Sequence, residues 1–133
     1  MAGAFATAAF AGGPAQDYTL YCMGCHGAEA QGVPGKIPPL AGTLGRFMRT
    51  PEGRNYVLRV PGAANSALTD GQLAGVLNWL AERYAVPEEA RVAPFSVDEV
   101  ARVRRTPLAN VQAVRREVLR GLAASGVAPA ADY

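Results

Sequence analysis

Cysteine occurs twice in this chain, and both copies fall within five consecutive residues, Cys22-Met23-Gly24-Cys25-His26, that also hold the only histidine. Any chemistry needing a thiolate or an imidazole is therefore confined to this segment. A disulfide-built scaffold is excluded, because it needs several spaced pairs. Three uses of the segment are chemically open. Two thiolates and one imidazole make three ligands of a zinc site, whose fourth would have to be a carboxylate such as Glu29. A redox dithiol shares the two-residue spacing but follows a strand in thioredoxin-like chains, and no strand pattern leads into Cys22. The third use is attachment of a c-type haem. Two thiols at this spacing add to the two vinyl groups as thioethers, and the histidine that follows becomes the proximal iron ligand. Only the third use accounts for all of these residues without importing a partner. It marks Cys22 and Cys25 as attachment residues and His26 as a metal ligand, with one covalently attached haem c as the cofactor.

The rest of the chain reads as helix and irregular backbone. At 133 residues it has the length of one domain, and 15 Gly and 10 Pro suit a loop-rich globule. Residues 17–22 suggest a short helix that delivers the motif. Residues 27–45 hold five Gly together with Pro34, Pro38 and Pro39, so this stretch is expected to wrap around something as irregular backbone. A short helix is predicted over 52–60, ended by Pro61-Gly62. A stronger one is predicted over 70–84, N-capped by Thr69 or Asp70, with Leu73, Val76, Leu77 and Leu80 on one stripe and Trp79 beside it.

Beyond Pro87, Ser96 and Glu99 form a capping-box pattern for a helix ending near Arg105. Thr106-Pro107 predicts the start of another helix running to Ala124, with Leu108, Val111, Val114, Val118, Leu119 and Leu122 on its apolar face. Arg102, Arg104, Arg105, Arg115, Arg116 and Arg120 are expected to face solvent or a partner. The organisation expected is an N-terminal segment over 1–13, a core domain over 14–86, and a helical hairpin over 87–133 packed on that core. The first 13 residues are apolar and uncharged, too short to span a bilayer, and Ala9-Phe10-Ala11-Gly12 resembles a small-residue cleavage site. They are read either as a trimmed export signal or as a plain Ala/Gly terminus.

The surroundings of the motif carry a resemblance. Tyr18 stands four residues before Cys22, Pro38-Pro39-Leu40-Ala41-Gly42 begins twelve residues after His26, Gly45-Arg46 follows, and Trp79 sits in the late helix. Over residues 14–84 this resembles the class I cytochromes c. The resemblance implies an all-α cytochrome c fold wrapped around one haem, here with a C-terminal helical extension. It implies that the Pro38 carbonyl accepts a hydrogen bond from His26, that Leu40 packs against the haem on the proximal side, and that Arg46 pairs with a haem propionate. Tyr18 and Trp79 match the aromatic contact between the first and last core helices, while the glycine expected at that crossing falls near Pro14.

The larger departure is the distal ligand. The family carries its axial methionine just before the last core helix, where this chain reads Val60-Pro61-Gly62-Ala63-Ala64-Asn65-Ser66-Ala67-Leu68. Met48 is the favoured candidate, because thioether sulfur suits haem iron; Asn65 and an open site are the alternatives.

The function expected is a periplasmic carrier of single electrons between a dehydrogenase and a cytochrome or oxidase acceptor, with no catalytic residues of its own. The segment 54–62 with Asn78-Trp79 resembles a subgroup associated with periplasmic amine or alcohol oxidation. The alternatives are a haem protein whose open sixth site takes a small ligand or peroxide, and a structural haem subunit of a larger complex. A formal charge of +2, with no basic run interleaved with aromatics, points away from nucleic acid. No transmembrane segment is expected. Twelve of the thirteen cations are Arg, a bias that a GC-rich genome would also produce.

Overall fold

The computed structural model describes residues 12–127, so the export-signal expectation for the N-terminal segment lies almost wholly outside the described residues. These form α1 (Pro14–Tyr21), α2 (Met23–His26), α3 (Leu44–Phe47), α4 (Pro51–Arg59), α5 (Pro61–Ala64), α6 (Asp70–Arg83), α7 (Val97–Val103) and α8 (Val111–Ala124), with no strand among them. A single isolated bridge joins Val33 and Ile37.

The frame is the crossing of α1 and α6. Thr69 and Gln72 close a reciprocal capping box that satisfies donors at the start of α6. Its predicted stripe of Leu73, Val76, Leu77 and Leu80 is buried as expected, each side chain contributing about 1.5–3 kcal/mol. The Tyr18 and Trp79 rings meet at 5.8 Å, tilted by 44°. Pro14 packs against Gly75, where an added Cβ would lie 3.8 Å from Pro14 Cγ. The small residue at the crossing is thus contributed by α6 and not, as expected, by α1.

The C-terminal extension is helical, and its two helices lie on different parts of the core: α7 on α6 and α4, α8 on α4 and α3. Ser96 caps α7 by accepting from Glu99 N, but the Glu99 carboxylate turns away to Arg54 and leaves the expected box half-closed. The last helix starts at Val111, capped by Asn110, and not at Pro107. Leu108 N donates to Arg59 O at 2.9 Å and Arg59 Nε donates to Thr106 O at 2.6 Å, so residues 106–108 are tied to the end of α4 before a helix can begin. Burial of Leu108 against the core favours that arrangement.

Two of the six arginines expected outside are inside. Arg104 is 9% exposed and Arg115 is 4% exposed, the latter with its guanidinium 5.1 Å from the centre of the Phe47 ring. A buried guanidinium over an aromatic face trades hydration for cation–π attraction, an option that helical periodicity alone does not reveal. The other four are exposed. Leu122 is fully buried on the same helix. Leu122→Ala should cost about 2–5 kcal/mol in a urea titration read by helix signal, since it opens a cavity beneath α8. An unchanged midpoint would show that α8 does not dock in solution.

Candidate functional site

The motif occupies one tight turn. Cys25 N and His26 N both donate to Cys22 O, at 3.2 and 3.0 Å, and Gly27 N donates to Met23 O. Residues 22, 25 and 26 stand three and four apart, which places them on one helix face. Tyr18, one turn earlier, donates its hydroxyl to Gly27 O at 2.6 Å and receives Cys22 N on its own carbonyl, so α1 sets the position of the turn. Cys25 is exposed and Cys22 half-buried, both as free thiols. Burial pushes the Cys22 thiol above its ordinary range, with smaller contributions from Asp17 and Cys25. The Tyr18 phenol is pushed up to about 12, chiefly by burial and then by Cys22, which keeps it a donor.

After the turn the chain folds back on itself. Gly32 N donates to His26 O at 2.7 Å, Val33 and Ile37 exchange hydrogen bonds, and Ala30 O receives both Leu40 N and Ala41 N. Gly32 adopts a φ of +68° that places its Cα against the backbone of Ile37 and Pro38. These contacts carry the Pro38 carbonyl to 3.0 Å from His26 Nδ1. A carbonyl can only accept, so Nδ1 carries the proton and Nε2 keeps its lone pair. Burial lowers the His26 pKa, opposed in part by the Pro38 hydrogen bond, and a lowered pKa favours the neutral ring. A neutral imidazole with Nε2 free, beside two free thiols on one turn, fits a haem held by two thioethers and one axial nitrogen. It does not make a zinc site with Glu29, because among the described residues no three His, Cys, Asp or Glu side chains gather as a metal-binding group.

The remaining candidates are dispersed. Leu40 is half-buried against the core. Arg46, expected on a propionate, places Nε 3.2 Å from Glu89 Oε1, and Arg49 holds the other oxygen of the same carboxylate at 3.2 Å. Residues 86–92 run past α3 and bring Glu89 within reach of Arg46. Met48 is 3% exposed at the C-cap of α3. It borders a cavity of about 630 Å³ whose walls come from α3, the end of α6 and residues 85–94, without His26. Asn65 is exposed at the end of α5. It shares a surface hollow with Leu68, Arg104 and Arg105.

The sequence alone assigns no contact to Arg54 or Asn78. Arg54 grips both oxygens of Glu99, at 2.8 and 2.6 Å. It also donates to the carbonyls of Ala93 and Pro94, and lies 4.3 Å from the centre of the Phe95 ring. Asn78 exchanges two hydrogen bonds with the backbone of Phe95. Together they fasten residues 93–99 to α4 and α6.

No family model matches the chain. It is 29% identical over 120 residues to cytochrome c-552 of Thermus thermophilus, an alignment covering 76% of this chain and 92% of that protein. A second cytochrome c-552, also of Thermus thermophilus, shows the same identity, over 76% of this chain and 81% of its own length. This distant homology, the helical fold and the Cys22-Met23-Gly24-Cys25-His26 turn support a c-type cytochrome with the all-α cytochrome c fold and covalently bound haem c as its cofactor.

Proposed function

We propose that this c-type cytochrome carries single electrons between a periplasmic dehydrogenase and a respiratory cytochrome or oxidase. Cys22 and Cys25 hold the haem as thioethers and His26 is the proximal ligand. The observation that carries this reading is the 3.0 Å contact from His26 Nδ1 to Pro38 O, which leaves Nε2 as the ring's only lone pair. When bound, the haem supplies a one-electron ferric/ferrous couple. The chain's own residues attach it, orient the axial imidazole and increase its donor strength through the Pro38 carbonyl. Leu40 packs beside the proximal ring. Arg46, whose Nε meets Glu89 Oε1 at 3.2 Å, is the proposed partner of a haem propionate. No helix of the described residues is long and apolar enough to cross a membrane. The subgroup resemblance of residues 54–62 makes an amine or alcohol dehydrogenase the proposed donor.

Acid–acetone extraction tests the attachment. The haem is expected to stay with the protein, and its appearance in the organic layer would refute the thioethers. Replacing Cys22 and Cys25 together by Ser should abolish attachment. The electron-transfer role predicts rapid, stoichiometric reduction by a quinoprotein amine or alcohol dehydrogenase and its substrate, followed by reoxidation by a terminal oxidase. Failure of both half-reactions would remove the carrier role.

A further inference from the structure

The contact between His26 Nδ1 and Pro38 O joins the last residue of α2 to the loop of residues 27–43, which contains one isolated bridge and no helix. Irregular backbone does not hold such a contact by itself, so its two ends need a support from outside the loop. The hydrogen bonds trace one. Gly27, directly after His26, accepts twice on its carbonyl, from the Tyr18 hydroxyl at 2.6 Å and from Ala30 N at 3.1 Å. Ala30 O in turn accepts from Leu40 N at 2.8 Å and from Ala41 N at 3.1 Å, just past Pro38. A single line of bonds therefore runs from α1 through Gly27 and Ala30 to the far end of the contact.

Ala30, one pivot of that line, is strained. Its φ is +53°, which no other non-glycine among the described residues shares in sign, and its side chain is fully buried. A left-handed alanine persists only where its surroundings hold it there. Of the two donors that meet at Gly27 O, Ala30 N belongs to the strained turn itself, whereas the Tyr18 hydroxyl reaches in from α1. The ring and the hydroxyl of Tyr18 have separate tasks. The ring, 3% exposed, packs on Trp79 where α1 crosses α6, and a phenylalanine ring would pack there equally well. The hydroxyl adds nothing to that packing, and burying it is unfavourable unless it is bonded. Its phenol, pushed up to about 12 chiefly by burial, stays a donor.

We propose, resting on His26 as the proximal ligand, that Tyr18 is a positioning residue for the imidazole: its hydroxyl, through the Gly27 carbonyl, braces both ends of the His26–Pro38 contact. Without the brace, Gly27 and Ala30 relax from their positive φ, and Leu40 carries the Pro38 carbonyl away from Nδ1. The Nδ1 proton then becomes accessible to water and the donor strength of the ring falls, which raises the reduction potential.

Proton NMR of the reduced holoprotein, with a redox titration, tests this. In the wild type the Tyr18 hydroxyl proton is expected as a separate resonance; one averaged with water would overturn the brace without any substitution. Tyr18→Phe keeps the ring and removes the hydroxyl. It should speed exchange of the His26 Nδ1 proton and of the Ala30, Leu40 and Ala41 amides by about fivefold or more, and raise the potential. Trp79→Phe alters the ring contact and keeps the hydroxyl, so the same protons should exchange within about twofold of wild type at an unchanged potential. Wild-type exchange and potential in Tyr18→Phe would overturn the positioning role. So would faster amide exchange with the Nδ1 proton and the potential unmoved, because the bond would then hold the loop and not the imidazole. A Trp79→Phe variant that matches Tyr18→Phe in both readouts would overturn it too, with ring packing as the cause. His26 ring protons that show no paramagnetic shift in the ferric protein would refute the ligand reading, a separate failure, and the exchange comparison would still decide what the hydroxyl does.

Discussion

Gly32→Ala is expected to cost about 2–5 kcal/mol of stability and to raise the reduction potential of the holoprotein. The residue sits at φ +68°, where an L side chain is strained by roughly 1–2 kcal/mol. A Cβ there would collide with Ile37 O and lie 2.7 Å from Pro38 C and 2.8 Å from Pro38 O. All three are backbone atoms, so no rotamer change relieves the clash, and overpacking adds about 1–3 kcal/mol. The backbone that must move carries the carbonyl facing His26. Weakening that hydrogen bond lowers the donor strength of the imidazole, which favours ferrous over ferric iron and raises the potential. Urea unfolding and a redox titration of the same variant measure the two effects. A stability loss at an unchanged potential would mean that the loop relaxes elsewhere and the Pro38 contact survives.

The contrast between what could be read and what could not follows from where the partners lie along the chain. The attachment turn was legible because its residues are five consecutive positions with fixed chemistry. The Pro38 contact was legible through a resemblance carried by local spacing, and the helix α6 through periodicity and a cap within four residues of each other. Arg104 was not legible, because four of its acceptors are main-chain carbonyls 36–41 residues away, and a carbonyl has no letter in the sequence. The same limit hid the start of α8: Pro107 is a good first residue for a helix, but the competing bond from Leu108 N to Arg59 O is non-local. Arg115 was placed outside by the bland rule that charge is solvated, and Phe47, far away in sequence, reversed it. The arginine bias itself acquires a physical use in the structure. Arg54, Arg59 and Arg104 each donate to main-chain carbonyls on the far side of the junction between core and extension, a task suited to a planar fork.

Arg54→Leu should release that junction at its other end, at a cost of about 2–4 kcal/mol. Removing one partner of a well-buried pair costs about 3–5 kcal/mol because the other charge is stranded, and the figure is reduced here because both side chains keep some access to water. The stranded group is Glu99, and the carbonyls of Ala93 and Pro94 lose their donor in the same step. The pH dependence identifies which of these matters. Hydrogen bonding from Arg54 holds the Glu99 carboxyl below its ordinary 4.5, against burial, which acts in the opposite direction. A depressed carboxylate pKa means that the unfolded chain takes up the proton first as pH falls. The stabilisation is therefore complete at neutral pH, begins to decline near the unfolded value, and is gone once pH has passed below the folded one. The difference in stability between wild type and Arg54→Leu should accordingly be greatest above pH 5 and shrink on acidification. Glu99→Gln should flatten the acid limb in the same way while keeping the carbonyl bonds, and so should cost less at pH 7 than Arg54→Leu does. If the two variants cost the same at pH 7, the ion pair accounts for the junction and the carbonyl bonds add nothing; if the gap between wild type and Arg54→Leu persists unchanged into acid, the carbonyls and the Phe95 ring hold it and Glu99 does not.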